Sequence, residues 1–98
     1  MPLETSVFDA AEYIDTPEAQ AELLDDAFAS GDAAYVAKAL GVVARARGMA
    51  GVARDAGLSR ESLYKSLGDD GNPALATILK VTKALGVRLT TRVEPAVL

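Results

Sequence analysis

Ser59-Arg60-Glu61-Ser62-Leu63-Tyr64-Lys65 sets several kinds of polar side chain within two helical turns. The chemistry they offer is recognition. An arginine can fork onto guanine O6 and N7, and a glutamate can accept from cytosine N4, so Arg60 and Glu61 at the start of a helix suit base edges in a major groove. Ser59 is a natural N-cap for that helix. Tyr64 and Lys65, one turn later, come within reach of a base edge or a phosphate. Each also has a plainer role: Glu61 complements the helix dipole, Tyr64 is a core-edge aromatic, and Lys65 is a solvated charge. Asn72 can offer its amide to a phosphate beside a helix N-terminus, or simply cap that helix. Arg54, and more weakly Arg45 and Arg47, are phosphate-clamp candidates.

Bond-making chemistry finds less support. The chain has no His and no Cys, which removes the commonest general base, the thiolate nucleophile and the usual zinc ligands. Its carboxylates show no paired spacing for acid–base work. The expectation is a protein that is not an enzyme and uses no cofactor or metal.

A reader needs a frame, and the run Met49 to Leu67 carries one. Val52, Ala53 and Ala56 pattern a short helix that runs into Gly57, and Leu63 and Leu67 share one side of a second. Gly57 falls where the chain reverses, a place that commonly needs positive φ. Ala53, four residues before, is small enough for a close crossing, and Leu63, six residues after, can plug the corner. This is helix-turn-helix spacing. A bare corner between two helices, with no nucleic acid, has the same spacing.

Charge placement favours the reader. Residues 1–37 hold nine acids and no Lys or Arg, whereas residues 38–98 hold all ten basic residues against five acids, a net of +5. The formal charge of −4 thus conceals an acidic third joined to a basic domain. Half the chain is apolar but only five residues are aromatic, so any core is built of Ala, Leu and Val. No stretch nears the length of a membrane span and the N-terminus lacks a basic region, so neither insertion nor export is expected, and the lack of cysteine suits the cytoplasm.

The elements that position these residues can be read in order. Residues 1–14 look extended or weakly ordered. Thr16-Pro17-Glu18 starts a helix to about Ala29, with Ala21, Leu24, Ala27 and Phe28 inward. Asp32 caps a second helix over about 33–46, with Val36, Ala39, Leu40 and Val43 inward and Gly48 at its end. The corner's helices span about 50–56 and 60–67. Asn72-Pro73 starts another helix, with Leu75, Ile78, Leu79, Thr82 and Leu85 inward and Gly86 past its end. Residues 87–93 alternate apolar and polar and predict a β-strand, paired across a two-fold axis or with the N-terminal segment.

Residues 53–65, with Gly71-Asn72-Pro73 and 80–86, resemble the addiction-module antidote proteins, lambda-repressor-like antitoxins related to HigA and encoded beside RelE/ParE-type toxins. The resemblance is strong over about 48–90, and LSRESLYK followed by DGNP is its most specific part. It implies an all-α, lambda-repressor-like helix-turn-helix bundle of about five helices, to which the charge count and the alternation add the acidic N-terminal extension and the C-terminal strand. It also implies a cytoplasmic protein that neutralises a toxin and, as a homodimer, represses its own operon on double-stranded operator DNA. Such toxins are typically basic, so the acidic segment 1–30, through Phe8, Glu12, Tyr13, Leu24 and Phe28, is the expected toxin contact. Residues 31–86 form the DNA-binding domain and 87–98 the strand and tail. Two departures weaken the first corner helix where such antitoxins often carry Ser or Thr then Gln: Ala50 cannot cap it, a loss of about 1 kcal/mol, and Gly51 removes a polar arm that could hold the DNA backbone. A stand-alone or prophage Xre-type repressor without a toxin, and an interaction module that does not bind DNA, fit the same residues.

Overall fold

The computed structural model describes residues 14–95, and among these all regular structure is helical. Five helices follow in order: α1 (Pro17–Ser30), α2 (Ala33–Arg47), α3 (Met49–Ala56), α4 (Arg60–Ser66) and α5 (Leu75–Ala84). α1 packs on α2, α2 and α4 both touch α3, and α3 packs on α5. The core runs through all five. Leu24, Leu40, Val43, Val52, Ala53, Leu63, Val81 and Leu85 are among its members, an aliphatic interior as the composition requires. No described helix is long and apolar enough to cross a membrane.

Local chemistry fixes the helix ends. The Thr16 hydroxyl accepts from the Ala19 amide at 3.1 Å, the Asp32 carboxylate from Ala34 at 3.0 Å, and the Ser59 hydroxyl from Ser62 at 3.0 Å. Each satisfies an amide that has no partner inside its helix. α5 ends in a paired motif: the Val87 amide returns to the Thr82 carbonyl and Gly86 to Lys83, both at 3.0 Å. α2 reaches its neighbours closely because Gly41 lacks a side chain. A Cβ there would lie 3.1 Å from the Leu67 carbonyl oxygen, at the end of α4.

Four expectations are corrected. The β-strand at 87–93 does not form, since residues 87–95 contain no regular structure. A strand needs a backbone partner, and among the described residues none is offered. The segment lies beside α1 instead, and the Arg92 guanidinium sits 2.9 Å from Asp25. α5 does not start at Asn72-Pro73 but at Leu75, with Ala74 in the cap position and no side chain capping it. Its inward face also differs. Leu75 and Leu79 are 64% and 48% exposed, while Val81 is fully buried. Two stripes fit helical spacing here and share Ile78, Thr82 and Leu85, and the one containing Val81 is buried. On α1, Ala21 is exposed and Gln20 buried. Burial of that amide is tolerated because it donates to the Ile14 carbonyl (3.0 Å) and accepts from Arg47 Nε (2.7 Å).

Leu63→Ala should cost about 2–5 kcal/mol by urea unfolding. Tyr35 gives a pH test. Its hydroxyl donates to Asp26 at 2.6 Å, and that bond, with the nearby carboxylate charge, raises the phenol above its ordinary value near 10. The contribution of this bond is therefore present below pH 10 and lost as pH rises through the raised value. Asp26→Asn should lower the Tyr35 phenolate midpoint, read by ultraviolet absorbance against Tyr35→Phe.

Candidate nucleic-acid interface

The corner between α3 and α4 is built on one backbone conformation. Gly57 has φ +72°, in the left-handed region, with open space where a Cβ would stand, so the cost of a side chain there is conformational. The Gly57 amide donates to the Arg54 carbonyl (3.1 Å) and the Leu58 amide to Ala53 (2.9 Å), which closes α3 and turns the chain. Leu58 packs against the core as it leaves. Ser59 then opens α4, and Leu63, 0% exposed, anchors it.

With Leu63 inward, the side chains from Arg60 to Lys65 other than Leu63 are exposed, and Ser66 is half-buried. Ser59, Arg60, Glu61, Tyr64 and Lys65 are all exposed and lie on one short helix and its cap. The Arg60 guanidinium lies 5.6 Å from the centre of the Tyr64 ring, within cation–π range. Tyr64, 46% exposed, therefore serves as a platform that restricts Arg60. The i,i+4 spacing of the two residues was a sequence signal for this pairing, though neither residue alone indicates it.

The remaining candidates are more scattered. Arg54 is exposed at the end of α3, 3.5 Å from Asp55, a surface pair that another anion could displace. Asn72 is exposed in the loop before α5, three residues ahead of its first helical residue. Arg47 is held by the Gln20 amide. α3 begins at Met49 behind Gly48, and no side chain caps it, so Ala50 lies within the helix and not at its cap. Among the described residues, no three carboxylates come together to hold a metal ion.

The expected toxin contacts are only partly described. Phe8, Glu12 and Tyr13 lie outside the described residues. Leu24 is 4% exposed and belongs to the core, with Phe28 half-buried against it. The charged surface of α1 is carried by Glu18, Glu22, Asp25 and Asp26. A groove of about 420 Å³ opens between α1 and residues 87–90, lined by Ala21, Leu24, Phe28, Val87 and Leu89 among others. Nothing in the sequence pattern announced it, because it depends on a non-helical segment lying against α1.

The family described as "Probable addiction module antidote protein" matches residues 4–93. An uncharacterized protein of Haemophilus influenzae is 44% identical over 81 residues, which cover 83% of this chain and 84% of that protein. No solved structure matches the chain.

Ser59→Ala should destabilise the protein by about 0.5–2 kcal/mol in chemical unfolding, with amide exchange accelerating first at Ser62. Ser59→Asp should restore most of the loss.

Proposed function

This chain belongs to the family of probable addiction module antidote proteins, and from that premise we propose that it is the antitoxin of a type II module. It binds and neutralises a RelE/ParE-type toxin and represses its own operon by sequence-specific DNA binding. On this reading it is a HigA-like, Xre-type regulator, and α3, Gly57 and α4 form its lambda-repressor-like helix-turn-helix. It works without a cofactor and is no enzyme.

The observation that carries the DNA-binding part is the outward face of α4, where Arg60, Glu61, Tyr64 and Lys65 stand together on a helix anchored only from behind. Arg60 forks onto a guanine, held in line by Tyr64, and Glu61 accepts from a cytosine beside it. Ser59, Lys65, Asn72 and Arg54 contact phosphates and fix the register. The +5 balance of residues 38–98 supplies the attraction to DNA. As a homodimer the protein presents two such helices about 34 Å apart to a palindromic operator. With the strand absent, the exposed Leu75 and Leu79 of α5 offer the apolar surface for that pairing. The toxin is basic and meets the acidic N-terminal third, including Phe8, Glu12, Tyr13, Leu24 and Phe28.

Gel shifts on DNA from upstream of the gene test this assignment. Arg60→Ala should cost about 1–3 kcal/mol on the preferred operator and relax the choice of base at one position in each half-site. Lys65→Ala should weaken binding to all sequences alike and reduce the salt slope by about one unit. If neither variant differs from the parent, the recognition helix is misassigned. Toxin binding with no DNA binding at any salt leaves an interaction module, and operator binding with no toxin leaves a stand-alone repressor.

A further inference from the structure

We propose that the groove between α1 and residues 87–90 seats a segment of the partner toxin that carries a cation beside apolar side chains, and that Arg92 occupies its charge position until the toxin arrives. The proposal rests on the antitoxin reading and goes beyond it, since it names the surface and the chemistry that the toxin must present. The groove is the one lined by Ala21, Leu24, Phe28, Val87 and Leu89, and its volume of about 420 Å³ falls within the range of ligand-binding clefts, roughly 300–1,000 Å³. Its α1 rim carries Glu22 and Asp25, with Glu18 and Asp26 on the same helix and no base anywhere on it. The opposite rim carries Arg88 and Thr90, so the groove is anionic on its α1 side, and that side, with the apolar floor beneath it, fits the cation of a basic polypeptide.

The internal contact shows which group that rim accepts. Arg92 donates from its guanidinium to Asp25 at 2.9 Å, across 67 residues of sequence. Both side chains are about two-thirds or more exposed, so the pair is weak and open to exchange. A toxin arginine or lysine arriving with its own apolar neighbours gains the groove as well as the charge. Displacing Arg92 also frees a cation on the antitoxin's own tail. The contact is thus a modest competitor for the site, and removing it should favour the toxin.

The test is calorimetric titration of the full chain with the purified product of the adjoining toxin gene, at low salt, on the parent and three variants. Glu22→Lys reverses the rim charge, and Ala21→Trp fills the groove from an exposed position. Each should weaken toxin binding at least tenfold while helical circular dichroism and unfolding midpoint hold. Arg92→Ala should tighten binding about two- to fivefold, where a purely structural strap would loosen it. Amide shifts on adding toxin should cluster at residues 21–28 and 87–92, a readout that needs no variant. If the parent binds toxin tightly, Ala21→Trp and Glu22→Lys bind equally well and the shifts lie elsewhere, the groove assignment is wrong and the antitoxin reading survives. If the parent binds no toxin, that reading fails and takes this one with it. A groove variant that abolishes self-association of the free chain places a second copy there and overturns the assignment.

Discussion

The outward face of α4 depends on one buried side chain behind it, Leu63. α4 has seven residues, too few to be stable in water on its own, since helix nucleation costs more than one or two turns return. Its only buried member is Leu63, fully enclosed. Two devices at its start reduce what that one side chain must do. The left-handed turn at Gly57 delivers the chain at the right angle, and the Ser59 hydroxyl satisfies the Ser62 amide. Fixing the helix from behind leaves its front free of structural duty. Arg60, Glu61, Tyr64 and Lys65 can then be chosen for what they touch outside the molecule.

The charge partition follows the same logic at larger scale. An acidic protein is a poor candidate for DNA until its charges are placed along the chain. The acids concentrate before residue 38 and every Lys and Arg comes from there onward. α1 is nevertheless welded to the core by Leu24 and Ala27, by Tyr35 on Asp26, and by Arg47 on Gln20. Two surfaces of opposite sign thus share one interior. The family assignment gives the protein a toxin partner, and on the proposed reading that partner meets the acidic surface while operator DNA meets the basic one.

Much of this was legible in the sequence, for identifiable reasons. Thr16, Asp32 and Ser59 are caps whose residue type and position act locally, and Gly57 marks a conformation other residues resist. All four could be read before any packing was known. The errors came where two local answers were equally good. Residues 87–93 alternate as a strand should, but a strand requires a second strand, and pattern alone cannot supply one. Asn72-Pro73 looks like a helix start, yet the helix waits until Leu75. Val81 and Leu75 lie on rival stripes of α5, and contact with α3 decided between them. Gln20 was missed because a buried amide is visible only with its partners, Ile14 and Arg47. The groove beside α1 is tertiary throughout.

On the proposed function the outward face of α4 meets DNA. The most direct measurement is an amide nuclear magnetic resonance titration of the full chain with a duplex from upstream of its own gene, at about 50 and 200 mM salt. Shifts should concentrate on residues 58–66, with Arg54 and Asn72 at their margin and α1 unchanged, and the affinity should fall by orders of magnitude across that salt range. Shifts centred on α1, or no response of residues 58–66 at the lower salt, would contradict it.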